Sequence, residues 1–176
     1  LQAHGRGRTI IFARTKRSAA ELAEDLAQRG FTVAAVHGDL GQRAREAALD
    51  ALRHSSANIL VATDVAARGI DVEDITHVIN FQTPDDPMTY VHRIGRTGRA
   101  GKKGTAVTLV GYDEVRKWEA INDELSLDAR ELPEWFSTSP ELHEALDIPD
   151  SATARVGRPR KVLGARPARA SGRNRR

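Results

Sequence analysis

The segment YVHRIGRTGRAG, at residues 90–101, concentrates arginine and glycine between two stretches that are typical of regular secondary structure. Arg93, Arg96 and Arg99 recur at every third position, so a helical turn that runs into a loop would place them on one face. Two interleaved glycines let a phosphate or a second protein surface come close to the backbone. Because guanidinium groups bind oxyanions with paired N–H donors, the segment predicts an anion-binding site. A solvated basic loop is the competing interpretation.

Outward from this segment, short apolar stretches alternate with helical patterns along the chain. The third predicted strand, NILVA, is apolar from Ile59 to Ala62, as expected for a strand that is buried on both faces. This alternation indicates an α/β fold, a doubly wound parallel β-sheet flanked by helices. In such a sheet the functional residues lie on loops at the carboxyl ends of the strands. We predict strands at 8–13, 31–36, 58–62, 76–81 and 104–110, and helices at 15–29, 42–54, 87–93 and 112–125.

Basic and acidic residues are separated along the chain. Residues 1–112 carry 15 basic and 12 acidic side chains, residues 113–150 carry 3 and 12, and residues 151–176 carry 9 and none. The high isoelectric point therefore comes from the end of the chain rather than from the body. We expect an α/β core at 1–112, an acidic helical or irregular extension at 113–150 that packs on or beside it, and a disordered basic tail at 151–176.

Composition excludes several classes of protein. The absence of cysteine rules out disulfides and thiolate metal sites, which suits a cytoplasmic protein. No apolar run approaches the ~18 residues that a membrane helix needs, and the first residues contain no signal-peptide core. Because the chain opens without methionine, we expect an interior piece of a longer protein.

The sequence lacks the parts that would bind a nucleoside triphosphate alone. It contains no GxxxxGK[ST] phosphate loop, and Lys102-Lys103 lies in a predicted turn before the fifth strand. Asp85-Asp86 stands between prolines, so no acidic pair follows an apolar strand in a position to hold magnesium, and we predict no metal site in this chain. An arginine-rich anion site without these parts indicates half of a composite site.

Four segments resemble motifs IV, IVa, V and VI of the DEAD-box RNA helicases, in the same order. They are IIFARTK at 10–16, HGDLGQRAR at 37–45, ILVATDVAARGIDV at 59–72 and YVHRIGRTGRAG at 90–101. The resemblance covers roughly residues 8–112 and implies the second RecA-like domain of a bacterial, RhlE-like member of that family. The first RecA-like domain of such an enzyme, with the Walker A loop and the DEAD motif, is missing here. The chain by itself is therefore expected to be inactive.

The resemblance implies roles for four residues in ATP hydrolysis. Arg96 and Arg99 match the arginines that reach the γ-phosphate of ATP, which is held with Mg²⁺ mainly by the first domain. Asp71 matches the residue that binds the ribose hydroxyl, and Gly69 allows close approach. A guanidinium group that neutralises charge on a transferring phosphoryl group accelerates the reaction by roughly 10³ to 10⁵.

Further residues match positions that couple domain closure to hydrolysis. His92 and Arg93 match side chains that contact the first domain, although a lone histidine is more often a packed structural residue. Arg68 is expected to be an internal brace or an interdomain contact rather than a catalytic group.

RNA binding is assigned by the resemblance to loops at the other strand ends. Backbone contacts of this kind are independent of sequence, and helix N-termini favour phosphates. For the glutamine and arginine at the start of the second helix, a solvated helix face is the alternative. The basic tail is expected to tether RNA or to rest on the acidic extension. The implied RNA-binding residues are Thr15 (or Arg14), Gly38, Gln42, Arg45, Thr63 and Asp64. Of these, Asp64 is expected to help fix the loop that carries Thr63.

Two other classes of function stay open. The same loops could belong to a stand-alone module that binds nucleic acid or a protein without ATPase activity. The chain could also be a domain of a related DNA helicase. A phosphate loop and an acidic strand end upstream of Leu1 in the parent protein would discriminate against the stand-alone module.

Overall fold

Five short strands form one parallel sheet in the computed structural model, which describes residues 1–164. Their order across the sheet is β2-β3-β1-β4-β5, and in register Ile10 lies beside Leu60 on one side and Val78 on the other. The predicted α/β sheet is therefore confirmed. The strands are β1 (Arg8–Phe12), β2 (Val33–Val36), β3 (Ile59–Ala62), β4 (Ile75–Asn80) and β5 (Thr105–Thr108).

Local sequence sets where the helices begin. Thr15 caps α1 by accepting a hydrogen bond from the Ser18 N–H at 3.0 Å, and Asp86 caps α4 with Pro87 as the first helical residue. The predicted helix at 112–125 begins as a 3₁₀ turn, Tyr112–Glu114. None of the helices in the described part of the chain is long and apolar enough to cross a membrane. They are α1 (Lys16–Gln28), α2 (Gln42–Arg53), α3 (Asp64–Ala67), α4 (Pro87–Ile94), α5 (Val115–Leu125) and α6 (Pro140–Ala145).

The sheet has an apolar layer on each face, because successive side chains of a strand point to opposite sides. Ile10 and Leu60 pack with Leu52 of α2 on one face. On the other face Val61 and its neighbours pack with Ala23 of α1. All five of these side chains are fully buried. Helices on both faces leave the carboxyl edge of the sheet as the open surface, as in other doubly wound folds.

A smaller cluster holds α5 against α4. Tyr90 and Trp118 meet edge to face with ring centroids 5.5 Å apart, and Ile121 is buried beside them. The Trp118 indole N–H donates to the Ala129 carbonyl at 2.9 Å. The first part of the acidic extension, α5, thus packs against α4, the helix that carries the start of the arginine-rich segment.

Part of the expected basic tail is an ordered piece of the fold. We expected residues 151–176 to be disordered, but residues 156–164 are hydrogen-bonded to the body, first to carbonyls at the end of α1 and then to the outer edge of β2. There the Leu163 N–H donates to the Val33 carbonyl at 2.9 Å. The reason is an open strand edge beside two apolar residues, Val162 and Leu163, which pack partly buried against the core layers. Residues 165–176 lie outside the described residues.

Candidate functional site

The site residues predicted from the sequence lie on loops and helices that follow β1, β2, β3 and β4. Those directly after a strand lie at the carboxyl edge of the sheet, whereas Asp71 lies on the loop that leads into β4, and Arg96 and Arg99 follow the end of α4. Parallel strands bring these loops together, although they are far apart in sequence. The site has two parts. One is built from the loop after α3 and the end of α4, and the other from the starts of α1 and α2.

An ion pair between a buried arginine, Arg93, and a partly exposed carboxylate, Asp64, connects α4 to α3. The Arg93 Nε and Nη2 atoms donate to the two carboxylate oxygens of Asp64, each at 2.7 Å. The Nη1 atom donates to Asn80 Oδ1 and to the Gln82 carbonyl, both at 3.2 Å, and the guanidinium carbon lies 5.2 Å from the Phe12 ring centroid. Arg93 is only 3% exposed. Such bidentate pairing fixes the geometry of both elements.

This geometry differs from one of the sequence-based expectations. Arg93 was expected to contact the first domain of the enzyme, but its donors are used by partners within this domain. Asp64 was grouped with the RNA-binding residues and was expected to help fix its loop, and both of its carboxylate oxygens accept from Arg93. The physical reason is that Arg93 lies on the inward face of α4, one turn after buried Tyr90. His92, the neighbouring residue, is exposed.

An open cavity of about 420 Å³ lies beside this ion pair. Arg68, Gly69, His92 and Arg96 reach it from two elements. Gly69 has a φ of +70°, and a side chain there would meet no atom within 4 Å, so the backbone is open to a ligand. Arg96 is half-buried and makes one long hydrogen bond, 3.4 Å, to the Ile70 carbonyl, which leaves its other donors facing the cavity. The remaining lining residues are Phe12, Asp64, Ala67, Thr89 and Arg93.

Two of the expected ATP-contacting residues lie outside the cavity lining. Arg99 is exposed, and its Nε atom donates to the Gly95 carbonyl at 2.7 Å. Asp71 is also exposed, and its backbone carbonyl accepts two hydrogen bonds of 3.2 Å from Arg53. The structure therefore brings Gly69, His92 and Arg96 together but does not bring Arg99 and Asp71 to the same space.

The expected RNA-contacting residues after β1, β2 and β3 are placed on one rim. Thr15 is exposed, and its hydroxyl is used by the cap of α1. Gly38 is exposed, with open space where a side chain would be. Thr63 is buried at the start of α3, where its carbonyl accepts from the Ala67 N–H at 2.9 Å. Thr15 and Gly38 therefore offer surface to a ligand, whereas Thr63 is enclosed.

The start of α2 joins the two parts of the site. Its first turn has no side-chain cap, because Gly41 occupies the N-cap position, so its leading N–H groups are available to an anion. Gln42 donates to Glu46 at 2.8 Å. The Arg45 Nη2 atom donates to the Arg68 carbonyl at 2.8 Å. This bond connects α2 to the loop that carries Arg68 and Gly69.

Sequence reasoning missed two supporting residues. Asn80 is fully buried and binds both Arg93 and Thr108, and a polar residue at the end of an apolar strand was the available signal. Glu114 accepts from the Arg14 guanidinium and from the Thr83 N–H at 3.1 Å. Burial would raise the pKa of Glu114, but these hydrogen bonds hold the pKa below its ordinary value of 4.5. No sequence signal pointed to Glu114.

Within residues 1–164, no group of three His, Cys, Asp or Glu side chains is arranged to hold a metal ion. The donors around the cavity are guanidinium groups, an imidazole and backbone. Guanidinium, imidazole and backbone N–H groups can each donate hydrogen bonds to phosphate oxygens, so the chemistry of the cavity suits an anionic group.

Sequence comparison identifies relatives of this chain. A model of the helicase conserved C-terminal domain matches residues 1–101. The DEAD-box ATP-dependent RNA helicase CshA of Bacillus subtilis (strain 168) is 47% identical over 138 residues, which cover 78% of this chain and 27% of CshA. The chain thus spans about a quarter of the length of the curated relatives it matches. The likeness is to CshA, so the expectation of an RhlE-like member is corrected.

Solved structures share the fold. The DEAD-box protein SrmB of E. coli, solved with regulator of ribonuclease activity A, is 41% identical with a TM-score of 0.65 and covers 70% of this chain and 71% of that chain. A Dbp5 variant of S. cerevisiae, solved with RNA and ADP BeF3, is 35% identical with a TM-score of 0.63 and covers 72% and 33%. The chain therefore belongs to the helicase conserved C-terminal domain family, as the C-terminal RecA-like domain of a DEAD-box RNA helicase.

Proposed function

We propose that this domain completes the ATP site of an ATP-dependent RNA helicase whose N-terminal RecA-like domain holds ATP and Mg²⁺. The observation that carries the proposal is the cavity in which Arg68, His92 and Arg96 converge beside the open backbone of Gly69. These groups can bind phosphate oxygens, yet the chain has no phosphate loop of its own. A half-site of this kind works only when a second domain closes over it.

On closure, Arg96 and Arg99 stabilise the negative charge that develops on the transferring γ-phosphoryl group. Arg99 reaches it by giving up its hydrogen bond to Gly95, and Arg96 has only a long one to lose. Asp71 binds the ribose hydroxyl from the exposed loop beside Gly69. ATP with Mg²⁺ supplies the activated phosphoryl group, and this chain orients and neutralises it.

The N-terminal domain of the same protein is the proposed partner for closure. His92 is exposed on the cavity wall and is the group proposed to contact that domain. Arg68 is exposed in the same wall and contributes to this contact. Arg93 acts through Asp64 as the brace that holds the two elements in place.

RNA is proposed to bind through its sugar-phosphate backbone on the other part of the site. Gly38 and the uncapped start of α2 offer N–H donors, and Gln42 and Arg45 offer side chains. The Dbp5 variant solved with RNA and ADP BeF3 supports a shared site of this design. The Arg45 bond to the Arg68 carbonyl provides a path by which RNA on α2 affects the ATP half-site.

Three further expectations are kept as part of the proposal. Thr15, which follows Arg14 at the end of β1, contacts RNA from the start of α1. Thr63 and Asp64 act on RNA indirectly by fixing the loop after β3, because one is buried and the other is paired. The protein works in the cytoplasm.

The test is RNA-stimulated ATP hydrolysis by the longer protein and by this chain. We expect no turnover from the chain alone and turnover when the N-terminal domain is joined to it. Arg96→Ala or Arg99→Ala should lower turnover by roughly 10³ to 10⁵ with little loss of ATP binding. Arg130→Ala is the matched control, since Arg130 is an exposed arginine paired with Asp123 in the extension.

Other outcomes would redirect the assignment. Hydrolysis by the chain alone would mean that it contains a complete nucleotide site. Normal turnover in both arginine variants would remove these residues from the mechanism. Tight RNA binding without any turnover in the longer protein would favour the stand-alone binding module, and stimulation by DNA in place of RNA would favour a DNA helicase.

A further inference from the structure

The loop between α3 and β4, residues 68–74, has an irregular backbone whose carbonyls accept hydrogen bonds from arginine side chains. Arg53, the last residue of α2, donates from Nε and Nη2 to the Asp71 carbonyl, each at 3.2 Å. Arg8, the first residue of β1, donates from Nη1 to the Glu73 carbonyl at 3.2 Å. Backbone outside helices and strands needs partners of this kind, because it has no regular hydrogen bonds of its own.

The same loop runs alongside α2. Arg45, near the start of that helix, donates to the Arg68 carbonyl at 2.8 Å, and Arg53 at its end reaches Asp71. The two arginines are about two helical turns apart, or roughly 12 Å along the axis, and the chain from Arg68 to Asp71 spans at most about 10 Å. Both ends of α2 therefore attach to the loop.

Arg53 is itself held on the side of the helix. Its Nη1 atom donates to Asp50 Oδ1, one turn earlier, at 3.1 Å. The Arg53 carbonyl accepts from Arg8 Nη2 at 2.8 Å. Although Arg53 is exposed, its guanidinium group thus has partners on two sides, and a fork held in this way fixes the direction of its hydrogen bonds.

The position of Asp71 depends on this support. Among residues 1–164, the hydrogen bonds of Asp71 are the two that its carbonyl accepts from Arg53. Its carboxylate is exposed, so the backbone decides where the carboxylate lies. Gly69, two positions earlier, has a φ of +70° and a permissive backbone, so it adds little stiffness to the loop.

We propose that Arg53 is a positioning residue for the nucleotide: it holds the backbone of Asp71 against α2, so that the Asp71 carboxylate is in place for the ribose. Arg53 does not touch ATP in this role. The role rests on the contact between Asp71 and the ribose hydroxyl proposed above. Without Arg53 the loop must be ordered when the nucleotide binds, and the cost of that ordering weakens the contact.

The experiment uses nucleotides that lack one ribose hydroxyl. Steady-state hydrolysis of ATP, 2′-deoxyATP and 3′-deoxyATP is measured with the longer protein, which includes the N-terminal domain, and saturating oligouridine RNA. The unaltered protein should have a lower KM for ATP than for at least one deoxynucleotide. Arg53→Ala should raise the KM for ATP by about fivefold or more and leave kcat and the KM for that deoxynucleotide nearly unchanged, because a ribose contact acts on binding rather than on the chemical step.

Two further variants support this measurement. Arg29→Ala is the matched control, because Arg29 is an exposed arginine at the end of α1 and pairs with Asp25 of its own helix at 3.0 Å. It should leave the KM of all three nucleotides unchanged. Arg53→Lys keeps the charge and one donor group, so its KM for ATP should lie between those of the unaltered protein and Arg53→Ala. It also replaces Arg53→Ala if thermal denaturation shows that the alanine variant does not fold.

The nucleotide pattern decides between the possible roles of Arg53. An unchanged KM for ATP in Arg53→Ala, or an equal rise for all three nucleotides, would overturn the positioning role. Asp71→Ala distinguishes the two levels, since it should also remove the preference for ATP. If Asp71→Ala removes the preference and Arg53→Ala keeps it, only the role of Arg53 fails. If the unaltered protein shows no preference, or Asp71→Ala keeps it, the proposed ribose contact fails and the role of Arg53 fails with it.

Discussion

Two arginines of one motif, Arg93 and Arg99, have opposite environments although they are only six positions apart in the sequence. Arg93 is 3% exposed and makes four hydrogen bonds to side chains and backbone of its own domain, whereas Arg99 is exposed and makes one, to Gly95. The difference follows from where α4 ends. Arg93 lies within the helix on its inward face, and Arg99 lies beyond the cap at Gly95. One residue type thus serves as a brace and as a free donor in the same motif.

The exposure of Arg96 is intermediate between those of Arg93 and Arg99. Arg96 is half-buried in the wall of the cavity, and its side chain makes one long hydrogen bond. An arginine that contacts a phosphate only after domain closure needs a fixed backbone and N–H donors that are not already used. The Arg93–Asp64 pair fixes the backbone of the motif. Arg96 and Arg99 each make a single side-chain hydrogen bond, so most of their N–H donors remain available.

The largest expected effect on stability comes from removing one partner of the brace. Asp64→Ala leaves the Arg93 guanidinium buried without its carboxylate, because Asn80 and the Gln82 carbonyl are neutral acceptors. We expect the free energy of unfolding to fall by about 3–5 kcal/mol, measured by urea denaturation of this chain.

Asp50→Ala is the matched control for that measurement. Asp50 pairs with Arg53 on the exposed surface of α2, so its loss should have little effect. Equal, small effects of the two substitutions would mean that the Arg93–Asp64 pair does not brace the domain.

The fold could be predicted from the sequence far better than the burial and the hydrogen-bond partners of these arginine side chains. The strands β2 and β3, VAAV and ILVA, carry their own signal, because a parallel strand buried on both faces is a near-continuous apolar run. Nothing local distinguishes Arg93 from Arg99, since the distinction depends on which face of α4 meets Asp64 and Asn80. The carboxylate that orders Arg93 is 29 residues away in sequence.

The end of the chain was misjudged for a related reason. Nine basic residues and no acidic ones in residues 151–176 are typical of a solvated tail. Two apolar residues, Val162 and Leu163, are enough for docking only because β2 is an edge strand whose position in the sheet is known from the fold. The composition of the segment gives no information about the part of the fold against which the segment packs.

An intermediate effect is expected at Glu114, which holds the exposed Arg14 in place. Its pKa lies below the ordinary value, so its contribution to stability is complete above about pH 4.5 and is lost as the pH falls through the lower pKa of the folded state. Glu114→Gln should lower the free energy of unfolding by about 1–3 kcal/mol at neutral pH. Urea denaturation at several pH values should then show a shallower decline on the acid side than in the unaltered chain. If the decline of the free energy of unfolding at acid pH were the same in Glu114→Gln as in the unaltered chain, Glu114 would not contribute to the pH dependence.

The smallest effect on stability is expected where the largest effect on catalysis is proposed. Arg99→Ala removes a side chain that lies in solvent and bonds only to Gly95, one turn earlier, so the free energy of unfolding should change by less than about 0.5 kcal/mol. Thermal and urea denaturation of this chain measure that change, and Arg93→Ala, measured in parallel, should cost several times more. A large loss of stability in Arg99→Ala would show that its guanidinium group is structural. The contrast between brace and free donor would then fail, and a fall in ATP turnover in that variant would no longer indicate contact with phosphate.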